Sequence, residues 1–175
     1  MKKFIPAIVV VIFPYSILFV IYCIFSGFLM KTVFDNNVYL CLLFLIALWV
    51  LSLICAILIC VISRVQRWDS FEVVRISMLI KLIQIPAYVL IFLIGSVCLF
   101  TIFTFAISFV LMLLDCMAIL LSGLIGISAV KRSHTEGVLS TKELFIHGIL
   151  QFIFCADVVS SVIVFRKTKL AKGRF

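Results

Sequence analysis

The chain has 175 residues, 66% of them hydrophobic and 13% charged, with a mean hydropathy of +1.42 and a formal net charge of +8. A soluble domain carries roughly 45–50% apolar and about 25% charged residues, so this composition excludes one. The longest polar stretches are too short to bury a core of their own. The basic residues lie mostly at the ends of apolar blocks, where orientation in a membrane and anionic headgroups explain them and nucleic acid does not.

In chain order, the first apolar block covers 4–34, after Met1-Lys2-Lys3. It is about twice the length of a signal-peptide apolar region, and "IFSGF" is a poor cleavage site, so a retained helix is expected. Pro6 suits a first turn, Pro14 is expected to bend the helix, and Lys31 can extend to the interface. "FDNNVY" reads as a turn, because Asp and Asn tolerate turn conformations. The second helix is predicted over 38–62. The segment from Ser63 to Arg75 mixes charges with Trp68 and Phe71, as interfacial segments do.

The apolar stretch from Ile76 to Val130 is long enough for two crossings, predicted over 76–100 and 106–130. Pro86 marks a bend in the former, and Thr101, Thr104 and Ser108 could cap the turn between them. After a polar connection with Gly137, "STKE" forms a capping box at Ser140 and Glu143. It opens a last helix over 143–165, followed by a basic tail over 166–175 expected on the membrane surface. The expected fold is all-α: a single polytopic transmembrane bundle of five helices, with four full spans as the alternative.

Five spans contain a conflict. They put Lys2, Lys3 and the two basic loops on one side, the cytoplasm by the positive-inside rule, and the basic tail on the other. The last helix, as the most polar, and the first, as irregular, are the blocks that could fail to span.

Two carboxylates stand in apolar surroundings. Asp115 shares a helix face with Ala118, Ser122, Gly126 and Ala129, with Gly123 beside them. Small residues at this spacing let helices approach closely, so Asp115 is expected to point into the bundle. An unpaired carboxylate near mid-bilayer costs at least about 2.5–3.5 kcal/mol. Asp157 lies about as many residues after the Gly137 turn as Asp115 lies before it. Antiparallel neighbours would bring the two level, as a pair sharing a proton or holding a cation. The plainer alternative is two separate polar anchors. Lys81, Gln84, His147 and Gln151 form a second candidate, an inner polar cluster for an anionic headgroup or small ligand. Lys81 could instead simply extend to the interface.

No catalytic motif, nucleophile–base pair or metal-ligand spacing occurs, so neither an enzyme nor a metal or other cofactor is expected. The seven cysteines all lie within apolar runs, as small packing residues do. "KLIQIPAYVLIFLIG", "LLDCMAILLSGLIG" and "FIFCADVVSSVIVF" resemble an uncharacterised family of small bacterial integral membrane proteins, over most of the chain. The resemblance implies that Pro86, Asp115, Gly126 and Asp157 belong to the family pattern, and implies no activity. The heavy use of Ile, Phe, Leu and Lys also suits a bacterial inner membrane. Two functions are expected. The first is a non-enzymatic component of the cell membrane, N-terminus cytoplasmic, binding lipid or another membrane protein. The second is a small transporter or substrate-binding subunit using Asp115 and Asp157.

Overall fold

The computed structural model describes residues 5–100 and 104–173. Seven helices follow in order: α1 (Ile5–Phe25), α2 (Gly27–Phe34), α3 (Val38–Val65), α4 (Ser70–Leu99), α5 (Phe105–Thr135), α6 (Thr141–Leu150) and α7 (Ala156–Lys172). Among the described residues there is no strand. Four helices, α1, α3, α4 and α5, are long and apolar enough to cross a membrane. The chain is thus an all-helical bundle of multi-pass membrane type, with the four spans of the alternative rather than five.

Two expected helices are broken. The first block ends at Phe25 and restarts at Gly27, because Ser26 takes an extended conformation. The last breaks at Gln151–Cys155, where the chain reverses. α6 and α7 form a hairpin that enters and leaves at one end of the bundle. From Glu143 to Gln151 is roughly 12 Å of helix, and Asp157 to Lys167 roughly 15 Å, so the tip reaches about half the depth of a bilayer core. Two contacts pin the open end. Lys167 pairs with Glu143, and Lys172 Nζ lies 2.6 Å from Asp69 Oδ2 at the start of α4. The region from 166 is therefore helical through Lys172, not a separate surface tail.

This reversal removes the topological conflict. The α3–α4 connection, the α5–α6 connection and the end of α7 all lie at the same end of the bundle. That end holds every described basic residue except Lys31 and Lys81. Lys2, Lys3, Phe4, Thr101 and Arg174 lie outside the described residues.

Local chemistry fixes the connections. Asp35 and Asn36 take positive φ of 49° and 55°, and Asn37 caps the next helix by accepting from the Tyr39 amide at 2.9 Å. The helices flanking the second connection run further than predicted, so only residues 66–69 lie between them. Thr104 Oγ1 donates to Cys98 O and Ser108 Oγ to Gly95 O, tying the α4–α5 turn. Gly137 supplies φ 74°, a left-handed position where side chains are strained, and both halves of the Ser140–Glu143 capping box form.

The core lies between α1, α3, α4 and α5, around Val10, Phe13, Ile17, Ala56, Ile59, Ile91 and Ile125. The outward faces carry exposed Leu, Ile and Phe, as surfaces meeting lipid do.

A candidate site of buried polar groups under the hairpin

α5 turns its stripe of small residues toward the hairpin. Ala118, Ser122, Gly126 and Ala129 are all buried. A Cβ on Gly126 would lie 2.0 Å from Gln151 Oε1, and one on Gly123 would lie 2.7 Å from the Phe152 ring and 3.1 Å from Gln151 O. The stripe is a seat for the hairpin tip, so the small-residue packing read from the sequence has a definite partner.

Gln151 is 1% exposed and stands at the centre of the site. Its Oε1 accepts from Lys81 Nζ at 2.6 Å and from Ser161 Oγ at 3.2 Å. Its Nε2 donates to Ser160 Oγ at 3.1 Å, and that hydroxyl also shares a hydrogen bond of 2.9 Å with His147 Nδ1. Lys81, fully buried, lies 3.1 Å from Asp157 Oδ2, itself on a residue 2% exposed. That contact is an ion pair without hydrogen-bond alignment. One positive and one negative charge thus meet inside the protein, and four polar side chains surround them.

Lys81 therefore does not extend to the interface. It sits roughly 18 Å along α4 from Asp69, too deep for its side chain to reach water, and it turns inward to Asp157. Asp157 pairs with Lys81, and no hydrogen bond joins it to Asp115 among the described residues. The two carboxylates lie near enough to interact, but the closest partner of Asp157 is Lys81 rather than Asp115. Counting residues from Gly137 presumes one unbroken helix, whereas Asp157 follows a chain reversal and faces α4.

Asp115 is half-buried and has no ion-pair partner among the described residues, and its Oδ1 is buried without a hydrogen bond. It lines a cavity of about 160 Å³ between α4 and α5, walled by Ile91, Phe92, Leu99, Leu111 and Met112. Ser96 and Ser108 also line it, but their hydroxyls are committed to the carbonyls of Phe92 and Gly95.

The structure brings Lys81, His147 and Gln151 together and sets Gln84 apart. Gln84 Nε2 donates to Val10 O at 3.0 Å, and Tyr88 Oη donates to Gln84 Oε1. Proline has no N–H, so Pro14 leaves the carbonyl four residues back, Val10, without its helical donor. Gln84 supplies that donor from α4. A second bond crosses the same pair of helices, Tyr15 Oη of α1 donating to Ile83 O of α4 at 2.5 Å. Buried Gln84 is thus a structural repair of a proline break, and Pro14 is the sequence signal that could have indicated it.

Ser161 was expected on a polar stripe with His147 and Gln151, beside Asp157, and it does join the network; Ser160, which joins it too, was not singled out. Its signal was present: consecutive serines in an otherwise apolar half-helix, one and two turns from Asp157 and Gln151. Glu136 was missed as well. Its carboxylate accepts from the Ser70 amide at 3.1 and 3.2 Å, closing the N-terminus of α4. At the same end, the Lys172 ammonium beside Asp69 holds that carboxyl below its usual range.

No protein-family model, curated protein or solved structure matches the chain. Its geometry alone bears on function.

Proposed function

We propose that the protein is a non-enzymatic component of the cell membrane, its basic end in the cytoplasm, that acts by binding a partner within the bilayer. One observation carries this reading: the deepest charged groups already satisfy one another. Lys81 and Asp157 neutralise each other, Gln151 bonds Lys81 and both serines, and the adjoining gap beside Gly126, Gln151 and Ser161 has no room for a water molecule. A carrier site needs space for its cargo and groups that release it. This network instead holds a hairpin to a bundle, which leaves binding to the apolar outer faces. The positive-inside rule supports the orientation, with nearly all cations at one end.

Two measurements test the reading. In proteoliposomes under an imposed pH or cation gradient, ion flux should equal that of protein-free liposomes. A flux that Asp157→Asn abolishes would overturn the proposal. A photo-crosslinking residue placed at exposed Phe145 or Ile149 should give one discrete protein adduct in native membranes. Adducts to lipid alone from every outward face would also count against it.

A second reading has its own support in Asp115. A half-buried acid with an unpartnered oxygen at an apolar cavity suits a lipophilic cation, and would make the chain a small binding or transport subunit. Tetraphenylphosphonium is a suitable probe. Thermal stabilisation by it that disappears in Asp115→Asn would favour this reading, and no stabilisation would dismiss it.

A further inference from the structure

A cavity of about 250 Å³ opens between the ends of α3 and α5, lined by Ser63, Arg64, Ser128, Lys131, Arg132 and Thr135. It contains three cations, three hydroxyls and no carboxylate. We infer that it is a binding site for a phosphate group carried by an anionic membrane lipid or present as free phosphate.

The argument starts from which charges are already used. Arg132 Nε lies 2.9 Å from Glu136 Oε1, so that guanidinium is largely neutralised. Glu136 is turned away from the cavity toward the Ser70 amide and cannot serve the other two cations. Arg64 and Lys131 have no ion pair among the described residues, and both side chains are exposed. Two free positive charges therefore face one concave space across two helices, held there by helix backbones rather than by loops.

The hydroxyls are not the readers of the anion: Ser63 Oγ donates to Cys60 O and Thr135 Oγ1 to Lys131 O, each at 3.0 Å, so the two free cations carry the site. Arginine matches phosphate with a planar fork, and lysine meets it as a point charge. A water molecule takes about 30 Å³, so the space holds a phosphate ester and some hydration.

Position favours the membrane as the source. The cavity lies at the end of two spans, where headgroups sit, and further along the same two helices Val61, Ile57, Leu120 and Leu124 are exposed. A phosphate held by Arg64 and Lys131 would place its acyl chains along those side chains. Basic pockets between spans at the cytoplasmic face bind anionic headgroups on this principle. The site is independent of the hairpin network and of the partner-binding reading.

The experiment uses the full chain in phosphatidylcholine nanodiscs containing spin-labelled phosphatidylglycerol. The protein should immobilise more of this label than of spin-labelled phosphatidylcholine. Arg64→Gln and Lys131→Gln should each lower the affinity about fivefold. Lys169→Gln removes the same charge from the exposed surface of α7, outside the cavity, and should change little. Inorganic phosphate separates the two sources. If it displaces the label, and loses that ability in Lys131→Gln, the site takes the phosphate group itself; if it does not, the site needs the lipid. Equal immobilisation of the two lipids, or equal loss in all three variants, would mean only diffuse surface attraction and would overturn the inference.

Discussion

Removing one member of the buried ion pair should cost far more than removing both. At 3.1 Å, Lys81 and Asp157 attract by about 5 kcal/mol with an effective dielectric constant near 20. Burying the two ions costs several kcal/mol each, so the net contribution of the intact pair is near zero. Lys81→Met forfeits the attraction, removes a donor to Gln151 and leaves Asp157 as an unpaired buried acid. The expected loss is about 3–5 kcal/mol, or roughly 6–20 °C in Tm for a chain of this length. Asp157→Leu should cost a similar amount, because it strands the Lys81 ammonium. The double variant removes both charges and keeps apolar volume, so it should recover most of the loss. The chain carries its own reporter: Cys23 and Cys41 are buried thiols that a thiol-reactive dye reaches on unfolding, above the folded-state labelling of exposed Cys116 and Cys155. The measurement is a double-mutant cycle on dye-reported melting in mild detergent. Single losses that simply add in the double variant would show that the two charges do not depend on each other, and would refute the reasoning.

The same assay checks Gln84. Gln84→Leu should cost about 1–3 kcal/mol by orphaning Val10 O, and Pro14→Ala, which restores a backbone donor to that carbonyl, should offset part of the loss; no offset would disconnect Gln84 from the proline break. Gly126→Ala should destabilise by about 1–3 kcal/mol through overlap with Gln151, whereas Gly148→Ala, which meets nothing within 4 Å, should be neutral or slightly stabilising; the reverse order would place the hairpin seat elsewhere. Glu143 has its carboxyl lowered to about 2 by Lys167 and by the Ser140 amide. Because the folded value lies below the usual 4.5, its contribution is complete above about pH 4.5 and fades as the pH falls toward about 2. Glu143→Gln should flatten this modest acid sensitivity, seen as pepsin cleavage in the α6–α7 hairpin, and an unchanged profile would assign it to other groups. In a cysteine-free background, Gln66→Cys and Leu170→Cys should be labelled from one side of the membrane and Tyr39→Cys from the other; labelling of positions 66 and 170 from opposite faces would restore a fifth span.

The parts of the fold legible in sequence are those governed by composition and local turn chemistry. Apolar length marks the four spans but counts 143–165 as a fifth, and the Asp35–Asn36 turn and the Ser140–Glu143 box follow from residues that have few other uses. The hairpin was hidden because "LQFIFCADVV" contains no Gly or Pro and is apolar on both sides of its reversal. A straight helix and a hairpin then have the same hydropathy. The tell was charge: a helix ending in Arg166, Lys167, Lys169 and Lys172 fits poorly on the far side of a membrane, and the conflict in the five-span reading was this signal. Lys81, His147 and Gln151 could be grouped from depth along their helices. Ser161 and Asp157 could be set beside them as a stripe on one helix, but Ser160 and the pairing of Lys81 with Asp157 could not, because those contacts form only after the chain turns back.

That reversal also explains why so polar a network lies so deep. Non-helical backbone at membrane depth survives only when protein covers it. The tip satisfies part of its own backbone, through Phe152 to Ile149 O, Ile153 to Leu150 O and Asp157 to Ile153 O. Cys155, at φ 63°, takes a conformation that non-glycine residues avoid, so the tip is strained as well as exposed to lipid on its outer face. Apolar packing alone discriminates poorly here, since Phe145, Ile149 and Phe154 meet lipid nearly as well as protein. A polar lock does discriminate. Lys81 can satisfy both Gln151 and Asp157 only when the tip is seated against Gly123 and Gly126, and an unseated hairpin leaves an ammonium and a carboxylate facing hydrocarbon. The charges therefore specify one docked arrangement, at little net gain in stability, and this is the sense in which a chain this apolar places Lys81 and Asp157 inside itself.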